Sequence, residues 1–196
     1  MKAEIFERRD NMAEIPNCFD KAEYYFEDAM GSYCEMYDKS ESELTDSDRD
    51  EIMRYAGNHI GFYITWVIRK GELGSMHTDD PRAAAAAERV KKGELPGVDF
   101  LMQFCDGRLN SEDMSDSMAE FTAGIYDDYF KLYSEFVIDE INDLPLEFIG
   151  SWEDYLAFEP LLDRLYEKAA RSGNGGGSAA GNGGRSDSLS REWRLL

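Results

Sequence analysis

The sequence predicts an all-α, single-domain bundle of six or seven helices packed around one buried helix at about residues 47–70. Three observations carry that expectation. The stretch Thr45–Gly71, TDSDRDEIMRYAGNHIGFYITWVIRKG, is apolar around most of a helical wheel. Ile52, Tyr55, Ala56, His59, Ile60, Tyr63, Trp66 and Val67 share one face, and Met53, Ile64, Ile68 and Phe62 widen it. Only Glu51, Arg54, Asn58, Thr65 and Arg69 form a polar strip, so this helix needs neighbours on several sides. The second observation is supply: 196 residues, 42% hydrophobic, with 11 Tyr, 11 Phe and 3 Trp, are enough for a real core. The third is that the remaining apolar positions recur in steps of three and four, with little strand-like alternation.

Taken in order, residues 1–17 are charged with few apolar anchors and suit an arm or a short strand. Phe19–Tyr37 places Phe19, Ala22, Tyr25, Phe26, Ala29 and Met30 at helical spacing, which favours a helix although the aromatic density also allows a strand, and Asp38–Leu44 is a polar connector. Thr45 or Ser47 caps the central helix. Asp46, Asp48 and Asp50 suit its positive end, and Arg69, Lys70 and Gly71 its negative end. After a loop through Gly74 and His77, Pro81 opens a helix where a missing N–H costs nothing. Its run Ala83–Ala87 offers little area to bury, which places it at the surface, and it stops near Gly93. Val98–Cys105 is a short helix ended by Gly107. Ser111-Glu112-Asp113 starts a long one that runs through Met114, Met118, Phe121, Ile125, Tyr129, Leu132 and Phe136. Pro145 breaks the chain, Ser151 caps Trp152–Phe158, and Pro160 opens a last helix over Leu161–Ala170.

Composition narrows the function classes. The formal net charge is −20, a field that repels nucleic acid and anionic membrane and attracts basic partners, although acidity also serves solubility. The sequence has no run of eighteen apolar residues, and MKAEIFERRD lacks a signal-peptide core, so a soluble, cytoplasmic protein is expected. Cys18, Cys34 and Cys105 are odd in number and lack CxxC spacing, which favours free thiols over a disulfide framework or zinc site.

The composition changes abruptly after residue 172. Gly173–Gly184, GNGGGSAAGNGG, has no core-forming residue and reads as an engineered flexible spacer. Arg185–Leu196, RSDSLSREWRLL, follows it and reads as a tethered segment of a partner protein. Its anchors are Leu189, Arg191, Trp193, Arg194, Leu195 and Leu196; a helix or a strand presents Trp193 equally well. Arg191 and Arg194 complement the first 172 residues, which hold 18 basic and 39 acidic side chains, a formal −21. The contrary reading of the tail is an arbitrary tag.

Several segments of the body match a known pattern: HIGFYITW (His59–Trp66), FLMQFCDGRL (Phe100–Leu109) with Ser111-Glu112-Asp113, FTAGIYDDY (Phe121–Tyr129), and WEDYLAFEPLLDRLY (Trp152–Tyr166). With these, roughly residues 20–170 resemble a family of small bacterial proteins known only as a domain of unknown function. The resemblance implies one compact domain and no established activity. The alanine run and the glycine-linked tail stand outside the pattern.

Candidate chemistry is thin. No HxxxH, HExxH, EF-hand, GxSxG or P-loop pattern occurs, so no metal, cofactor or catalytic residue is expected. His59 lies on the apolar face of the central helix and reads as a hydrogen-bonded core residue. Paired acids such as Asp127-Asp128 read as solvated faces in a chain with 41 acidic residues. The expected function is therefore a non-catalytic, adaptor- or chaperone-like domain that binds a basic Trp/Leu/Arg-rich segment of another protein. Phe62, Trp152 and Tyr155 are the candidate groove walls, expected to be exposed aromatics. The alternative is an immunity protein neutralising a basic toxin. A second alternative is an enzyme with a site near His59, Cys105 and Asp106, although an adjacent acid disfavours a thiolate at Cys105. Oligomeric state is not legible.

Overall fold

The computed structural model describes residues 15–173, with side chains as far as Arg171. The spacer beyond Gly173, the segment Arg185–Leu196 and most of the N-terminal arm lie outside the described residues. The elements are β1 (Cys18–Lys21), a 3-10 turn (Ala22–Tyr25), α1 (Phe26–Tyr37), a 3-10 turn (Glu41–Glu43), α2 (Asp46–Lys70), α3 (Ser75–Thr78), α4 (Pro81–Lys91) and α5 (Gly97–Phe104). β2 (Arg108–Asn110), a 3-10 turn (Ser111–Asp113), α6 (Asp116–Phe136) with a π-helical extension (Val137–Ile141), and α7 (Trp152–Gly173) complete the chain. The protein is all-α in character, and the one small sheet among the described residues pairs β1 with β2 antiparallel. None of the helices among the described residues is long and apolar enough to cross a membrane.

α2 is the central helix. Its N-terminus is closed by a capping box in which the Thr45 side chain accepts from the Asp48 N–H and Asp48 returns a bond to the Thr45 N–H. Its C-terminus is closed by Gly71 at φ 76°, a left-handed turn that glycine adopts without strain. Every residue from Tyr55 to Ile68 is buried. The N-terminal half of α2 forms one apolar cluster with α1 and the turn before it. The C-terminal half forms a larger cluster with α4, α5, α6 and α7.

The polar strip of α2 meets protein partners, with Asn58 and Thr65 buried and Arg54 and Arg69 half-buried. α5 crosses it at Gly61, where an added methyl would come within 2.5 Å of the Val98 backbone nitrogen. The strip residues each find a partner, beginning with Glu51, which accepts from the Tyr33 hydroxyl at 3.3 Å. Arg54 pairs with Asp99 at 2.7 Å, Asn58 donates to the Tyr133 hydroxyl at 2.9 Å, and Arg69 pairs with Glu159 at 2.6 Å. Thr65 turns its hydroxyl back onto the Gly61 carbonyl. His59 is a buried core histidine as read from the sequence. Its Nε2 lies 3.0 Å from Asp20 Oδ2, which also accepts from the Tyr126 and Tyr25 hydroxyls and so ties β1 to α2.

The structure corrects four sequence expectations. Phe19 to Lys21 belong to β1 and not to a helix, because their backbone pairs with Arg108–Asn110. The alanine helix α4 is not superficial: Ala83, Ala86, Ala87 and Val90 are buried, since small side chains let its backbone come close to α2 and α5. Ser111–Asp113 is a separate 3-10 turn with its own Asn110–Asp113 capping box, and the long helix starts at Asp116 with Ser115 as its cap. Pro160 does not open a helix but sits inside α7. It is exposed, as is Leu156, whose carbonyl loses its donor, so water can replace the missing bond.

Candidate binding pocket

Three stretches of chain converge beside α2 to form a pocket of ≈ 90 Å³. α2 contributes Asn58, Gly61, Phe62 and Thr65. The α4–α5 connection and the start of α5 contribute Gly93, Leu95, Pro96, Gly97 and Val98. The approach to α7 contributes Gly150, Ser151, Trp152 and Tyr155. Glycine is what lets these walls meet. At Gly97 a methyl would lie 2.0 Å from Thr65 Oγ1 and 2.2 Å from the Gly61 carbonyl oxygen, so α5 can touch α2 there only without a side chain. Gly93, at φ 72°, forms the seat of the Trp152 ring.

The aromatic walls are held from behind. Phe62 makes edge contacts with Tyr133, Tyr155 and Phe158, with ring centroids between 5.4 and 5.8 Å. Trp152 stacks on Tyr155 at 5.3 Å. The Arg69 guanidinium lies 5.2 Å from the Trp152 ring centroid and 5.8 Å from that of Tyr155. Its position is fixed by Glu159, through bonds of 2.6 and 3.1 Å, and by the Lys91 carbonyl at 3.2 Å. Tyr155 donates to Glu159 at 3.1 Å, and burial together with that carboxylate pushes its hydroxyl pKa well up, so it stays protonated. The pocket therefore has largely apolar walls whose aromatic rings are held in place from behind.

Phe62, Trp152 and Tyr155 thus come together on one pocket. They are not the exposed aromatics expected from the sequence: Phe62 and Tyr155 are 4% and 3% exposed, and Trp152 is half-buried. The reason is that α7 and the Phe148–Gly150 approach cover the outer face of α2. The anchors Leu189, Arg191, Trp193, Arg194, Leu195 and Leu196 lie outside the described residues. His59, Cys105 and Asp106 are not brought together. His59 bonds Asp20, Cys105 lies against His77, and Asp106 is an exposed residue at φ 54° in the turn after α5. The structural parts missed from the sequence are the glycine walls and the partners of Cys105. The glycines had a signal, since Gly61, Gly93, Gly97 and Gly150 each adjoin an element boundary or an aromatic. The Cys105 partners lie 28 residues away or are set by a turn, and no motif connects them.

Residues 18–145 match the family model described as a domain of unknown function (DUF7832). The chain belongs to this family. No curated protein and no solved structure matches the chain. The DUF7832 match includes the alanine run of α4 and ends before Gly150, short of the expected residue 170. The α2 and α5 walls of the pocket therefore lie within the DUF7832 segment, while Trp152 and Tyr155 come from the chain that follows it.

Proposed function

We propose that this domain is a non-catalytic peptide-binding module, adaptor- or chaperone-like, whose pocket takes an apolar side chain from a basic Trp/Leu/Arg segment such as Arg185–Leu196. The observation that carries the reading is the pocket itself, whose apolar walls are immobilised by Arg69–Glu159 and by close glycine packing. A dry cavity that admits benzene is about 150 Å³. At ≈ 90 Å³ this one suits a leucine side chain, with Trp193 lying on the half-buried Trp152 at the rim. Glu94 and Glu153 are exposed, adjoin the lining residues Leu95 and Trp152, and take part in no ion pair among the described residues. They are suited to Arg191 and Arg194. Reach supports the same reading. α7 carries the chain about 32 Å from Trp152 to Gly173, and twelve spacer residues extend to about 40 Å, so the segment can return to the pocket or reach another copy. The three free cysteines favour a reducing, cytoplasmic setting, and the −21 charge of the body disfavours nucleic acid and anionic membrane as partners.

The test is calorimetric titration of the peptide RSDSLSREWRLL into the full chain carrying Trp193→Ala, Leu195→Ala and Leu196→Ala, so that its own tail cannot compete. Saturable binding that Trp152→Ala removes supports the reading, and no binding at high protein concentration refutes it. The strong acidity of the body also favours a second reading, an immunity protein that neutralises a basic toxin. That reading predicts tight binding to a basic protein that salt abolishes and Trp152→Ala leaves intact.

A further inference from the structure

A second constellation lies away from the pocket. His77 on α3, Cys105 at the end of α5 and Asp113 at the end of the turn before α6 converge in the core, at 2%, 5% and 1% exposure. His77 Nε2 is 2.8 Å from Asp113 Oδ1 and 3.7 Å from Cys105 Sγ, and the three atoms lie within 4.8 Å of one another. Backbone contacts hold them there. The Asn110 N–H donates to Asp113 Oδ2 at 2.6 Å, the Gly74 N–H to the Asp113 carbonyl at 3.0 Å, and the His77 N–H to the Gly74 carbonyl at 3.1 Å. Phe100 packs against the imidazole edge.

A thiol, an imidazole and a carboxylate suggest a nucleophile with its base and orienter, but the geometry opposes it. In such a relay the thiol and the acid address different ring nitrogens, whereas here both address Nε2. Burial and the Asp113 charge push the Cys105 thiol up, away from the thiolate. A divalent cation is what three such donors share when they point at one place. With thiolate, carboxylate and neutral imidazole it makes a charge-neutral unit, which removes the cost of burying the charges singly. Sulfur, nitrogen and oxygen donors together suit zinc and its borderline neighbours, not calcium or magnesium. Tetrahedral zinc distances place such ligand atoms about 3.4–3.6 Å apart. The Sγ–Nε2 separation already fits, and the Nε2–Oδ1 pair opens by about 0.6 Å.

We propose that His77, Cys105 and Asp113 form a buried site for a zinc-class divalent cation that staples α3 to α5 and to the turn before α6. Shielded from solvent, the ion serves the fold and touches no substrate. It is acquired as the chain folds, when α3, a single turn, still lies open.

The probe is Co2+ added to the full chain carrying Cys18→Ser and Cys34→Ser, refolded under reducing, metal-free conditions, so that Cys105 is the one thiol present. The proposal expects saturation at one equivalent, near-ultraviolet absorption from a thiolate–cobalt bond, visible d–d bands of the bound ion, and displacement by one equivalent of Zn2+ with a rise in Tm. Absence of the thiolate band in this folded variant overturns the site. In the same background His77→Gln must lower the affinity for Co2+ at least tenfold, and an unchanged affinity overturns the proposal.

Discussion

Replacing Gly93 with alanine probes how the pocket wall is built, and Gly71 supplies an internal control. Both glycines end helices with nearly the same backbone, φ 72° at Gly93 and φ 76° at Gly71. An added methyl at Gly71 meets nothing within 4 Å, whereas at Gly93 it lies 2.5–2.8 Å from three atoms of the Trp152 indole. Gly71→Ala therefore reports the cost of the left-handed backbone alone, about 1–2 kcal/mol. Gly93→Ala carries the same cost plus displacement of the ring, for which overpacking of this kind costs about 1–3 kcal/mol. The ring cannot yield freely, because Tyr155 stacks on one side and Arg69, held by Glu159, lies over it. The assay is urea unfolding of both variants in the native and Trp152→Ala backgrounds. The expected result is a Gly93→Ala loss about 2 kcal/mol larger than that of Gly71→Ala. The two losses should become equal once Trp152 is alanine. Equal losses in the presence of Trp152 would refute the seating of this ring on Gly93, and with it the pocket geometry on which the binding proposal rests.

Arg69→Lys keeps the charge but loses the two-pronged bond to Glu159 and the guanidinium contact with the Trp152 ring. The expected cost is about 1 kcal/mol, or roughly 2–4 °C in Tm for a chain of this size, measured by thermal denaturation. Asn58→Ala leaves the buried Tyr133 hydroxyl without its donor, and should cost about 1–3 kcal/mol. Adding Tyr133→Phe should recover part of that loss in a double-mutant cycle, and simple additivity would show that the two groups do not interact. The Asp48 carboxyl is held below its ordinary range by Lys39, then by the Thr45 cap and the Tyr33 hydroxyl. Because the folded state favours its charged form, that contribution is complete above the unfolded pKa and is lost as pH falls below about 4. Asp48→Asn should flatten the acid limb of the stability–pH curve, and an unaltered limb would assign acid unfolding to other carboxylates.

Much of the fold follows from local rules. Thr45 with Asp48, and Gly71 after a basic last turn, mark the ends of α2 because capping is satisfied within a few residues. The breadth of its apolar arc demands cover on several sides, and α1, α5, α6 and α7 supply it. The errors arise where distant partners outweigh local preference. Phe19 to Lys21 have helical spacing, but their backbone bonds go to residues almost ninety positions later. The alanine run looks superficial by area, yet small side chains are what a close helix crossing requires. Pro160 looks like a helix start, but an exposed position tolerates the lost hydrogen bond.

The pocket and the buried His77–Cys105–Asp113 cluster divide in the same way. That Phe62, Trp152 and Tyr155 are large aromatics beside helix faces and ends is legible in the sequence. That Phe62 and Tyr155 are buried is not, because burial depends on α7 folding back across α2, and nothing local encodes that return. By itself the sequence determined the helical class, the central helix with both its caps, and an acidic body without a familiar catalytic motif. The tertiary structure alone decided which glycines face which rings and that His77 and Asp113 meet Cys105. Contacts between residues far apart are chosen by how whole helices pack, and spacing within any one of them carries no record of that choice.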